Sequence, residues 1–220
     1  MIRLALIGAG NIKYHYVEML KISESDFQKQ IEQIAKALAE TSTEIVLLPD
    51  KGVCIEVAKQ YKKLKGKKVI GTIPLEDQDF GIQHLEQHIN TKINGKRLID
   101  QKINTGTWYK QDLTIGTFGD AILMLGNSLG ALGELTYAYY LYKIFKGTKK
   151  GVSATAQKIH PEIRAGKQIP FSVILYKPFL KEKLNFEIEQ YIKKLGCHIF
   201  YVNTPKELKQ KIQELQKTEI

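Results

Sequence analysis

Short, continuous apolar runs alternate with amphipathic stripes along the whole 220-residue chain, and this alternation constrains the fold more than any other feature. Leu4 to Ile7, Glu44 to Leu48, Val69 to Ile73, Ala121 to Leu125, Phe171 to Tyr176 and His198 to Val202 each read as a strand. A strand buried on both faces shows no polar alternation, which is the pattern of a parallel sheet covered by helices. Between these runs, Phe27, Ile31, Ile34, Ala35 and Leu38 recur at helical spacing, as do Val53, Val57, Tyr61 and Leu64. Phe186 to Leu195 and the stripe Leu208, Ile212 and Leu215 predict two further helices. Ser25 with Gln28 reads as a capping box; Thr204-Pro205 with Glu207 reads as cap, first-turn proline and capping acid. The expected fold is α/β, a doubly wound, mostly parallel sheet with helices on both faces, as one domain over residues 1–220. Ligands of such a sheet gather at the carboxyl ends of its strands.

The middle of the chain is less regular. A short helix is expected around Ile82 to Ile89, a turn at Asn94-Gly95, a strand near Leu98 to Ile103 and a helix over Leu113 to Phe118. Thr148 to Gln168 reads as a long loop. Its basic residues Lys149, Lys150, Lys158 and Arg164 would add cations to a site if it folded over one.

Composition narrows the setting. No apolar run approaches the ~20 residues that span a bilayer, so no membrane is expected. The opening MIRLALIGAG is short for a signal peptide and reads directly as a strand. Two cysteines, Cys54 and Cys197, suggest neither a disulfide framework nor a metal cluster, and a reducing cytoplasm follows as the expected location. Lys+Arg outnumber Asp+Glu 33 to 23, a net charge of +10 that attracts anions, nucleic acid among them. The lysines cluster mostly where helices end, which is also ordinary dipole chemistry on a solvated surface.

Four segments carry candidate chemistry. In Gly119 to Tyr140 a buried strand enters a glycine-spaced turn (Gly126, Gly130, Gly133) and then an aromatic-rich helix with Glu134 in its first turn. Small residues let backbone amides approach an anion at a helix N-terminus. A carboxylate there suits a sugar hydroxyl or a proton better than a phosphate; otherwise it is a helpful first-turn acid. Gly8-Ala9-Gly10-Asn11 resembles the start of a dinucleotide fingerprint, but Lys13 takes the place of the third glycine. The next strand ends at Pro49-Asp50, about forty residues on, rather than at an acidic residue about twenty residues on. A loop facing a ligand phosphate or sugar fits better than a nicotinamide-dependent dehydrogenase. In Pro49 to Glu56 the amides of Gly52 and Val53, with Lys51 nearby, form a second candidate phosphate site, or else a plain turn capped by Asp50. Cys54 there is either a thiol of lowered pKa or a small packing residue. Thr105-Gly106-Thr107-Trp108-Tyr109-Lys110-Gln111 reads as a loop; its mixture suits stacking on a base and pairing with a phosphate, or a buried tryptophan. His84 and His88 stand at i, i+4, but Glu86 is one place off a zinc-protease motif and no metal site is expected.

Taken in order, three of these segments resemble the LOG-like, or lysine-decarboxylase-like, group of Rossmann-type nucleotide-binding proteins. The group includes the molybdenum-cofactor carrier proteins and, more distantly, the DNA-processing protein DprA. Gly52 to Ala58 followed by Val69 to Pro74 looks like the group's G-(L/V)-M-x-x-V-A and V-I-G-x-x-P. Thr105-Gly106 through Lys110-Gln111 looks like T-G-x-x-x-R-N, and Gly119 through Glu134 looks like A-D-A-x-I-x-L-P-G-G-x-G-T-x-x-E. The resemblance covers Ile2 to Lys146 and echoes to the C-terminus. It implies a Rossmann-like fold binding a nucleotide or nucleotide-bearing cofactor, as a carrier or sensor or as a hydrolase of nucleoside 5′-monophosphates. Carried over by position, Glu134 is the acid and Lys110 stands where the family has arginine. Gly8, Gly10, Asn11, Lys51, Gly52, Thr105, Gly106, Gln111, Gly126, Asn127, Ser128 and Gly130 would hold the ligand. Pro-Gly-Gly has become Gly126-Asn127-Ser128, the threonine has become Ala131, and lysine lacks arginine's bidentate fork. The resemblance also implies a homo-oligomer, dimer or tetramer, and through DprA a nucleic-acid partner as the alternative.

Overall fold

The computed structural model describes residues 2–145, 171–194 and 196–217. The expected loop 148–168, with Lys149, Lys150, Lys158 and Arg164, lies outside the described residues. Seven strands form one sheet: β1 (Arg3–Gly8), β2 (Glu44–Leu47), β3 (Lys68–Ile73), β6 (Gln101–Asn104), β7 (Ala121–Leu125), β8 (Ser172–Tyr176) and β9 (His198–Val202). Their order is β6-β3-β2-β1-β7-β8-β9, and every neighbouring pair is parallel. A small antiparallel hairpin, β4 (Lys92–Ile93) and β5 (Lys96–Arg97), turns at Asn94-Gly95.

The continuous apolar runs are explained by burial on both faces. In β1, Leu4 and Leu6 join the core formed with α1 (Glu24–Glu40), α2 (Val53–Lys63) and α7 (Pro205–Lys217). Ala5 and Ile7, one residue out of phase, join the opposite core with α5 (Leu129–Phe145) and α6 (Phe186–Lys194). A fully buried Leu or Ile side chain contributes about 1.5–3 kcal/mol. The doubly wound sheet with helices on both faces is therefore as expected. Among the described residues no helix is long and apolar enough to cross a membrane.

Local differences from the sequence reading have physical causes. The cap of α1 is Ser23 rather than Ser25: Ser23 Oγ accepts the Asp26 N–H at 3.1 Å, and Ser25 already lies inside the helix. At α7 the expected cap holds, with Thr204 Oγ1 accepting the Glu207 N–H at 3.1 Å. The strand expected over Leu98 to Ile103 is shortened to β6, because Asp100 bends out to accept the Val69 N–H at 2.8 Å and to pair with Lys62. The short helix expected around Ile82 to Ile89 is α3 (Gln83–Ile89), and the helix expected near Leu113 begins earlier, as α4 (Trp108–Thr114), and closes in a 3₁₀ turn over Ile115–Thr117.

At the amino ends of the strands the buried polar groups are tied together. Arg3 Nε and Nη2 donate to Glu44 Oε2 at 3.2 and 3.1 Å, and the Arg3 N–H donates to Asp120 Oδ2 at 2.8 Å. Tyr61 donates to the Thr43 carbonyl, and the hydroxyls of Thr41 and Thr43 meet at 2.8 Å.

Candidate functional site

From β1 the chain builds outward through β2, β3 and β6; from β7 it builds the other way through β8 and β9. The order reverses between β1 and β7, so the loops leaving these two strands part and open a crevice. A cleft of about 500 Å³ lies there. Gly8 to Gly10 after β1, Leu48, Asp50 and Lys51 after β2, Trp108 after β6, and Ser128 to Glu134 after β7 all contribute to its wall.

The glycines of the two lips serve different purposes. A Cβ on Gly8 would fall 2.4 Å from Val53 Cγ1 and 2.9 Å from the Leu125 carbonyl oxygen. Gly52, at φ +123°, would place a Cβ 2.7 Å from both Ala9 O and Gly10 Cα. These positions are glycine because two backbones touch. The Val53 N–H donates to Ala9 O at 3.1 Å. The phosphate-binding role expected of the Val53 amide is thereby corrected: that donor joins two loops. Gly130 and Gly133, in contrast, face open space, with nothing closer than Ser128 Oγ at 4.0 Å from a Cβ on Gly130. Ser128 Oγ accepts the Ala131 N–H at 3.2 Å and so caps α5. Gly130, in the first turn of α5, lines the cleft, and an amide at a helix start has no partner within its own helix.

Of the expected residues, Gly8, Gly10, Lys51, Ser128, Gly130 and Glu134 line the main cleft. Asn11 and Gly52 line an adjoining hollow of about 340 Å³ that shares Gly10 and Lys51 with it and adds Glu56 and His88. Asn11 Oδ1 also accepts the Tyr14 N–H at 3.0 Å, starting the π-helical turn Lys13–Met19. The others stand back from the wall. Gly106, at φ +79°, makes the turn whose carbonyl accepts the Glu76 N–H at 2.9 Å. Gly126, at φ +138°, sits under Tyr16, whose hydroxyl donates to the Leu125 carbonyl. Lys110 is exposed on α4 and is not among the cleft-lining residues. The loop expected over Thr105 to Gln111 is half helix, and that helical start points Trp108 into the wall.

Buried polar side chains collect behind this end of the sheet. His15 Nε2, Thr105 Oγ1, both amide atoms of Gln111 and Asn127 Oδ1 are buried with no hydrogen-bond partner among the described residues. Burial pulls His15 below the ordinary imidazole range, against an opposing hydrogen bond to the Phe179 backbone, so the ring is neutral at pH 7. Cys54 lines the cleft, and burial, with the Glu134 carboxylate second, holds its thiol well above the usual cysteine range. The helix start does not activate it, which corrects the lowered pKa considered from sequence.

Sequence reasoning placed Trp108, Asp50, Cys54 and Gly133 in interesting segments but left them out of the ligand set; Leu48 carried no separate signal. Trp108 is held by its neighbours: its backbone N–H donates to Asp77 Oδ2 at 3.3 Å, and its ring meets His84 at 5.0 Å and Phe80 at 5.1 Å, both edgewise. His84 Nε2 lies 3.1 Å from Asp50 Oδ1. Among the described residues no group of His, Cys, Asp and Glu is arranged to hold a metal ion.

No protein-family model matches the chain, and no curated protein matches it. Solved structures do. The molybdenum cofactor binding protein of the phototrophic bacterium Rippkaea orientalis aligns with a TM-score of 0.56 at 14% identity, over 97% of this chain and 96% of that one. The molybdenum cofactor carrier protein of Chlamydomonas reinhardtii aligns with a TM-score of 0.56 at 14% identity, over 98% of both chains. The structural-genomics target TM1055 aligns with a TM-score of 0.59 at 16% identity, over 97% of this chain and 99% of that one. At such identities the likeness is one of fold alone, and that fold is shared with molybdenum cofactor carrier proteins, which belong to the group that the three sequence segments resemble.

Proposed function

We propose that the cleft at the β1–β7 reversal binds a phosphate-bearing ligand with a planar ring, a nucleotide or a nucleotide-like cofactor, and that the protein carries it. One observation bears most of the weight: Gly130 and Gly133 leave the first turn of α5 open at the cleft, with Lys51 as the cation among the described lining residues. Amides at a helix start and a nearby ammonium are the groups a phosphate needs. Trp108 supplies an aromatic surface for a ring. A pterin carrying a phosphate presents both features and suits the same lining, and two of the proteins of like fold are molybdenum cofactor proteins. The thiol of Cys54, held protonated, is a packing group here rather than a nucleophile.

A hydrolase reading retains Glu134 in the cleft but finds Lys110 exposed outside its wall. The carrier reading therefore uses more of the site. Trp108 is the chain's only tryptophan, so its fluorescence reports occupancy directly. Titration with nucleoside monophosphates and a phosphorylated pterin is expected to change that emission, and Lys51→Ala to weaken binding about tenfold. Base release from a nucleoside monophosphate that Glu134→Gln abolishes without loss of binding would establish the hydrolase instead. Binding to single-stranded DNA alone, lost at raised salt, would overturn both.

A further inference from the structure

We propose that Asp50 reads the ring edge of the ligand and selects heterocycles that present adjacent N–H donors; this rests on the cleft binding such a ligand at all. The ring class is the 2-amino-4-oxo heterocycle, shared by guanine and the pterins.

The placement comes from the topology. Asp50 leaves β2, two strand steps from β7, whose glycine turn opens the cleft on the other side. At ~4.8 Å per step that separation is roughly 10 Å, so one ligand can reach both ends. Trp108, after β6, closes the cleft beyond Asp50. A ligand with its phosphate at the first turn of α5 thus lays its ring along Asp50 and Trp108.

Asp50 is held for this task. Its Oδ1 accepts the Lys51 N–H at 2.6 Å and lies 3.1 Å from His84 Nε2. His84 is stacked parallel to Phe80 at 5.9 Å and meets Trp108 edgewise. Asp77 binds this wall together: one carboxylate oxygen accepts the Trp108 N–H at 3.3 Å, and the other accepts the N–H groups of Phe80 at 3.3 Å and Gly81 at 3.1 Å. Asp50 Oδ2 accepts no hydrogen bond from the described residues, and Asp50 lines the cleft. A fixed carboxylate only accepts. Guanine offers it N1–H and the 2-amino group side by side, and a pterin offers the same pair. Adenine places the N1 lone pair beside its amine, and that lone pair repels the carboxylate. The selectivity thus belongs to the Pro49-Asp50-Lys51 turn of this chain.

The test compares GMP, IMP, AMP and a pterin carrying a phosphate monoester, by Trp108 fluorescence and calorimetry on the full chain. GMP or the pterin is expected to bind at least about tenfold more tightly than AMP, with IMP, which lacks the 2-amino group, in between. The tighter of the first two names the source of the edge. In Asp50→Asn, the GMP-to-AMP ratio is expected to collapse to about unity with the melting temperature unchanged, since an amide oxygen still accepts the Lys51 N–H. Equal binding of GMP and AMP by the unaltered protein, or a preference that survives Asp50→Asn, overturns the inference and leaves the cleft a ligand site. Failure of all four ligands to bind overturns the proposed function as well.

Discussion

The two ends of the central sheet handle buried polar groups in opposite ways. At the amino ends, Arg3 is tied to Glu44 and Asp120, and Tyr61, Thr43 and Thr41 are hydrogen-bonded in turn. At the carboxyl ends, His15, Thr105, Gln111 and Asn127 each keep a buried side-chain atom unpaired among the described residues. An unpaired buried group costs ~1–3 kcal/mol, and a fold tolerates that where another molecule supplies the partner. One end pairs its buried polar groups within the fold, and the other leaves several without a partner among the described residues.

The comparison breaks most visibly at the closed end. Glu44→Gln leaves the Arg3 guanidinium buried without its charge partner, and the expected loss is about 3 kcal/mol, a fall of about 6–12 °C in melting temperature. Ligand affinity should stay as it was. A loss below about 1 kcal/mol would show that the amino end is not the anchor described here.

At the open end the sign reverses. Gln111 is fully buried with both amide atoms unpaired among the described residues, so Gln111→Met is expected to raise stability by about 1 kcal/mol, or about 2–4 °C. The same change should weaken ligand binding if the amide serves the site from behind Trp108. A lowered melting temperature would place a partner for the amide inside the protein and remove the contrast.

The smallest effect is pH-dependent and belongs to Asp77, which ties the aromatic wall together. Backbone N–H groups, Gly81 first, hold its carboxyl below the ordinary value of 3.8. A depressed carboxylate contributes stability that is full above its unfolded value and lost as pH falls through its folded value. The difference in melting temperature between the unaltered protein and Asp77→Asn should therefore be constant at neutral pH and vanish only well below pH 3.8. A difference already lost near pH 6 would mean that another group holds the wall.

Much of this was legible in the sequence. Strands such as Ala121 to Leu125 and His198 to Val202 announce themselves because burial on two faces leaves no room for polar residues. The glycine turn before α5 is legible for the same reason that it works: open backbone needs small residues. The failures have causes too. The Thr105-Gly106-Thr107 turn signals hid the helix that begins at Trp108, because a helix start and a loop use the same residues. With that helix in place, Lys110 faces outward and Trp108 inward, an assignment that motif spacing cannot make. Gly52 looked like a phosphate turn, but its neighbour's amide is used by Ala9, a contact between segments more than forty residues apart. His15 gave no signal at all, since its burial comes from β7 and the segment after β8.

The parallel pairing of β1 with β7 also has a consequence in time. Leu4 pairs with Ala121, so the seam on which the cleft sits closes a loop of more than a hundred residues. Strands β1, β2 and β3 can associate through two short crossovers as the chain emerges, whereas the seam must wait for β7. Until then the Gly8–Gly10 lip has no opposite lip and the cleft is not formed. The cleft should therefore assemble in the slowest phase of refolding, together with β7, and during synthesis only after the first helical turn beyond Gly126 has left the ribosome.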